Sequence, residues 1–182
     1  MTTENLNSCE TALVAYQLTP TQNMTATSKA NFILDLGNTI TDTDERKLFY
    51  TTMMCKANKN NSWMLLNRLA TTPRMTSKLA EAFLDYLRQS ERINTGTRLL
   101  TQERTIQHLG ENPKTPKHVL LTLFTYPDPY VIYAIAQDER ISGEDILHIL
   151  EKQYPEATVI HNDTKVNVGV VHQNTEEPWL HN

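Results

Sequence analysis

Apolar residues recur along this chain at spacings of three and four, a pattern that predicts a succession of short amphipathic helices. Residues 3–17 carry Leu6, Cys9, Leu13 and Val14 on one stripe, with Ala12 and Tyr16 close by. Residues 18–27 are polar, contain Pro20 and read as a loop. Ser28 then caps a short helix through Leu36, with Gly37 fitting the left-handed position just past its end. Asp42 and Glu45 have capping-box spacing ahead of a stripe of Leu48, Phe49 and Met53. Ser62 opens a helix over 63–70, which Pro73 ends. Thr76 or Ser77 opens the next, with Leu79, Ala82, Phe83, Tyr86 and Leu87 facing inward. After a polar joint at 90–96, Leu99, Leu100, Ile106 and Leu109 mark a helix. Thr115 caps the following one with Pro116 in its first position. Asp128 and Pro129 start a short helix over 131–136. Ser142 caps the last helix, and Ile146, Leu147, Ile149 and Leu150 are its apolar face.

The chain then changes period. Residues 157–161 and 166–172 are β-branched and alternate, with Asn162-Asp163 as turn chemistry between them, which predicts a hairpin. An isolated hairpin is marginal in water, so its apolar face needs the helices or another chain as cover.

An internal repeat underlies the helical part. Residues 109–123 lie over 135–150 with one residue inserted, and 69–76 running into Leu79 has the same layout. Each copy is a helix pair with one apolar face, and stacking copies would bury those faces in a continuous core. Leu109-Gly110, Asn112-Pro113, Thr115-Pro116 and Val119-Leu120, with Asp128-Pro129-Tyr130-Val131 and Ala134-Ile135-Ala136, resemble the leucine-rich repeat variant family. The second copy departs from that pattern, with Asp138-Glu139 for Asn-Pro and Ile141-Ser142 for Thr-Pro. The resemblance covers residues 105–150. It implies an α-solenoid-like stack there and no chemistry, because members that hold an iron–sulfur cluster use a cysteine group without counterpart here. The expected architecture is therefore mainly α: an α-solenoid-like stack of short helices with a small C-terminal β-hairpin. Its parts are an N-terminal helical segment with a polar loop (1–40), a helical-repeat core (41–153), and the hairpin and tail (154–182).

Composition narrows the function. The 182 residues hold 17 Lys plus Arg against 21 Asp plus Glu, a net charge of −4, so no whole-chain basic field draws in nucleic acid or an anionic membrane. No apolar run reaches the roughly 18–20 residues of a membrane span, and the first ten residues lack the layout of a secretory signal. A cytoplasmic protein without membrane attachment is the expectation. The 25 threonines favour helix caps over helix interiors, which suits many short helices with polar starts. Five glycines argue against a dinucleotide fold, and no phosphate loop, His-Glu-x-x-His, Cys-x-x-Cys or nucleophile-elbow motif is present. No enzyme, no cofactor and no metal are expected. His108, His118 and His148 read as helix surface, and Cys9 and Cys55 as buried inert thiols.

Two binding readings remain. Tyr126, Tyr130 and Tyr133 cluster about a Pro-Asp-Pro turn, and Trp179-Leu180 stands in a polar tail; aromatic side chains of this kind dominate protein interfaces. They point to a protein–protein interaction module, an adaptor or scaffold, whose partner is another protein. The alternative is a nucleic-acid-binding or regulatory accessory protein using Arg88, Arg92, Arg98 and Arg104, with Lys114 and Lys117 nearby. Glu91, Glu103 and Glu111 interleave with that basic segment and favour a solvated face instead.

Overall fold

A computed structural model describes residues 7–91, 98–125, 129–153, 160–162 and 165–167. Among them the fold is mainly helical: α1 (Ser8–Leu18), α2 (Ala26–Thr39), α3 (Thr43–Lys59), α4 (Trp63–Ala70), α5 (Ser77–Glu91), α6 (Arg98–Glu111), α7 (Lys117–Leu123), α8 (Pro129–Ala136) and α9 (Gly143–Gln153). A single 3₁₀ turn, Thr21–Asn23, joins α1 to α2. Ile160–Asn162 and Lys165–Asn167 pair antiparallel with His161 opposite Val166. The rest of 157–172, on which the hairpin expectation rests, lies outside the described residues.

Local chemistry sets most helix starts. Asn7 opens α1 with a reciprocal capping box: its side chain accepts from Glu10 N at 2.8 Å, and the Glu10 carboxylate accepts from Asn7 N at 3.0 Å. Thr25, rather than Ser28, caps α2 by accepting from Ser28 N at 3.1 Å. Asp42 caps α3 through Asp44 N and Glu45 N. Glu45 does not close the expected box. Its carboxylate instead accepts from the Ser8 hydroxyl and Cys9 N, tying the start of α1 to the start of α3. Pro116 stands at the N-cap of α7 instead of its first position, and the Thr115 hydroxyl turns inward to donate to Leu109 O at 2.6 Å.

Gly37 also departs from its expected role. It lies inside α2, buried, not in a left-handed position past the helix end. A Cβ there would overlap the Tyr50 ring of α3. The glycine is needed for close helix approach, which a one-dimensional pattern cannot distinguish from a helix stop.

The helices pack in two series. α2, α4, α6 and α8 contact one another in that order, and α1, α3, α5, α7 and α9 do the same, with α3–α5 the most extensive contact. Phe49, Tyr50, Met53 and Met54 of α3, Leu66 and Leu69 of α4, and Leu79, Phe83, Tyr86 and Leu87 of α5 are almost wholly buried between them. The core continues through Leu109, Val119, Leu120, Leu123, Val131 and Ile135. Leu48 and Val14, read from sequence as inward, are 57% and 40% exposed. At about 100° per residue, the buried arc of α3 centres on Tyr50 and Ala57, which leaves Leu48 on the far side; Val14 likewise opposes Cys9, Ala12 and Tyr16.

The turns α4–α5, α6–α7 and α8–α9 share one hydrogen-bond pattern. Thr72, Asn112 and Asp138 each accept, through a side-chain oxygen, from the backbone N–H two residues on: Arg74 at 3.2 Å, Lys114 at 2.9 Å and Arg140 at 2.9 Å. The next N–H closes each turn onto the same residue's carbonyl, from Met75, Thr115 and Ile141. Successive turns are also joined. Asn112 Nδ2 donates to Ala70 O at 2.7 Å and Thr72 O at 3.0 Å. The Arg140 guanidinium, held by Asp138, donates to Pro113 O at 3.0 Å and to Thr115 O.

Two stability predictions follow from these contacts. Gly37→Ala gains about 1 kcal/mol of helix propensity but overpacks against Tyr50 at ~1–3 kcal/mol, so urea unfolding should show net destabilisation. A stabilised variant would refute the close-approach account. Asn112→Ala removes three hydrogen bonds, two of them to buried carbonyls; at about 0.5–1.5 kcal/mol each it should lose roughly 2–4 kcal/mol in the same assay. A loss under about 1 kcal/mol would mean that the turns hold without their polar link.

Candidate functional site

The α3–α5–α7–α9 series is laced at its surface by ion pairs between neighbouring helices. Lys47 Nζ stands 2.8 Å from Asp85 and Lys117 Nζ 2.7 Å from Asp145; His118 Nε2, which pairs as an ion only when protonated, is 3.5 Å from Glu81. Arg88 belongs to this series, mostly exposed and within 3.5 Å of Asp85 on its own helix. Among the described residues Asp145 is strongly perturbed. The Lys117 ammonium, the Ser142 hydroxyl at 2.6 Å and Ser142 N at 2.8 Å hold its carboxyl down to about 2. The same Ser142–Asp145 contacts form the cap of α9 expected from sequence, with Asp145 N donating to Ser142 Oγ.

The α2–α4–α6–α8 series presents different chemistry. Trp63 and Met64 at the start of α4 are 48% and 51% exposed, and Tyr133 on α8 is 68% exposed. Counting back from the shared turn residues Thr72, Asn112 and Asp138 places Asn67, Gln107 and Tyr133 at equivalent positions of three neighbouring helices. Met64 and Arg104 are equivalent in the same way, and both are exposed. Of the tyrosines singled out in the sequence, Tyr133 is therefore on the surface. Tyr126, Trp179, Leu180 and Arg92 lie outside the described residues, as do the side chains of Tyr130 and Arg98. Arg88 on α5 and Arg104 on α6 fall in different helix series, so this pair does not share a row.

Sequence reasoning missed a cleft of about 540 Å³ among the first four helices. It lies between the end of α1, the 3₁₀ turn, α2, the last turns of α3 and the start of α4. Tyr16, Lys29, Lys56, Asn60 and Ser62 line it, with Met53, Ala57 and Leu65 as its apolar floor. Tyr16 stacks on Phe32 at 5.9 Å between ring centres, and Lys56 Nζ is 5.8 Å from the Tyr16 ring centre. The two thiols are unlike reactive ones: burial pushes both Cys9 and Cys55 up from their ordinary range. Among the described residues no three His, Cys, Asp or Glu side chains are grouped to hold a metal ion, and no helix is long and apolar enough to cross a membrane.

Comparison of the chain with known protein families, curated proteins and solved structures finds no match.

The Asp145 cluster makes a pH prediction. A carboxyl depressed in the fold contributes stability above its unfolded value near 3.8, and that contribution is lost as pH falls from about 4 through about 2. Carboxyl NMR should place the Asp145 midpoint near 2 and move it up in Lys117→Gln. An unchanged midpoint in that variant would show that the ammonium does not hold the carboxylate.

Proposed function

We propose that the chain is a non-enzymatic protein–protein interaction module, an adaptor whose core is an α-solenoid-like stack of helical repeats. The repeat reading is supported by the shared hydrogen bonding at Thr72, Asn112 and Asp138 and by the ordered contacts within the two helix series. The C-terminal hairpin and its Trp179-Leu180 tail are an appended element available for pairing with another chain. The observation that carries the functional reading is the exposure of Trp63, Met64 and Tyr133 on one helix series. Leaving large aromatic and thioether side chains in water forgoes their burial energy, and such residues are the usual anchors of interfaces.

Affinity purification of the full chain from its source cells tests this. The expected result is a stoichiometric protein partner that is lost from a Trp63→Ser, Met64→Ser, Tyr133→Ser triple variant whose circular dichroism and melting are unchanged. No stoichiometric partner, or a partner retained at equal yield by the triple variant, overturns the proposal.

A further inference from the structure

We propose that the cleft among the first four helices is a binding site for a small polyhydroxylated phosphate ester, of the sugar-phosphate class. The inference does not rest on the interaction reading and would survive its failure.

Three observations support it. First, the cleft is open to solvent on one side, with Gln17, Gln22, Lys56 and Asn60 exposed at its rim, and its volume of about 540 Å³ is enough for a small ligand. Second, its lining is charged with one sign. The chain as a whole is acidic, yet the fourteen lining residues include Lys29 and Lys56 and no Asp or Glu. Neither lysine makes an ion pair with a described carboxylate, whereas Lys47, Lys78 and Lys117 each have one. A cleft lined by one sign of charge focuses its field and concentrates the opposite ion. Lys56 also packs its ammonium on the face of Tyr16, which restrains a side chain that is otherwise among the most mobile. Third, above the apolar floor of Met53, Ala57 and Leu65 the rim of the space carries hydroxyls and amides: Gln17, Thr21, Gln22, Asn60 and Ser62. These groups both donate and accept, the pairing that ligand hydroxyls require. The Ser62 hydroxyl is uncommitted to its helix, because it does not cap α4.

The charge selects the phosphate and the amides and hydroxyls select the rest of the molecule. The Tyr16 ring, with Phe32 stacked on it and Lys56 over it, supports the lysine rather than a ligand base. This favours a sugar phosphate over a nucleotide.

Calorimetric titration of the full chain with glucose 6-phosphate, ribose 5-phosphate, glucose and inorganic phosphate tests the site. At least one of the two esters should bind, with affinity falling as salt is raised. Glucose and inorganic phosphate should bind at least tenfold more weakly than that ester. Lys29→Gln/Lys56→Gln should weaken the ester roughly tenfold or more while lowering the melting temperature by only a few degrees, since neither lysine has an ion pair with a described carboxylate and the contact of the exposed Lys56 with Tyr16 is a weak one. Asn60→Ala, which keeps both charges, should weaken ester binding while leaving inorganic phosphate unchanged. The proposal is overturned if neither ester binds at 10 mM ligand. It is equally overturned if inorganic phosphate matches the ester, or if the double variant binds the ester as tightly as the natural chain.

Discussion

A helix pair must turn through a tight corner, and the backbone N–H groups of that corner cannot be left buried without partners. Here the problem is met at each of three corners by one short polar side chain: Thr72, Asn112 or Asp138 takes the N–H two residues ahead. Because the side chain is itself partly or wholly buried, its remaining hydrogen-bonding capacity must also be used. Asn112 spends its amide on the carbonyls of the turn before it, and Asp138 holds Arg140, which reaches the turn before that one. The device that makes a corner thus also joins the α4–α5, α6–α7 and α8–α9 corners to one another.

The three solutions are graded chemically. A hydroxyl at Thr72 can satisfy the corner, but it does not make the amide's reach to a neighbouring turn. An amide at Asn112 satisfies the corner and donates twice. A carboxylate at Asp138 donates nothing and recruits a guanidinium to do so, which holds its own acid below the usual range. Asp138 with Arg140 therefore does at the α8–α9 turn what Asn112 does at the α6–α7 turn. One amide in the first case and an Asp–Arg pair two residues apart in the second meet the same hydrogen-bonding demand.

Helix existence was legible because it is written in local period: the stripe of α5 is buried where the three-and-four spacing places it. Caps were legible where the side chain serves its own helix, as at Asp42, Thr76 and Ser142. They were misread where tertiary contact redirects them. Glu45 leaves its box for Ser8, and Gly37 serves Tyr50 instead of a helix stop. Leu48 and Val14 were misplaced for a related reason: spacing shows that a stripe exists, while the neighbours decide where its centre falls. The cavity was illegible altogether, since Tyr16, Lys29, Lys56 and Ser62 come from four helix ends or starts that no sequence window contains together.

Charge is partitioned by this geometry in a way that separates structure from binding. Along α3, α5, α7 and α9 acids and bases alternate between neighbouring helices, so their fields largely cancel and act across a few ångströms. Surface pairs of this kind contribute little stability each. Their placement matters more, because it consumes the acids nearest to those lysines. At the other end three acids near the starts of α1 and α3 are committed to backbone and hydroxyl donors: Glu10 to Asn7, Glu45 to Ser8 and Cys9, and Asp42 to its own helix start. None of them lines the cavity where Lys29 and Lys56 stand. The positive character of that cleft in an acidic chain thus goes with helix capping: Glu10, Asp42 and Glu45 sit where N-terminal N–H groups take them, at the opposite ends of α1 and α3 from the cleft, and Lys29 and Lys56 line it without an acid among its lining residues.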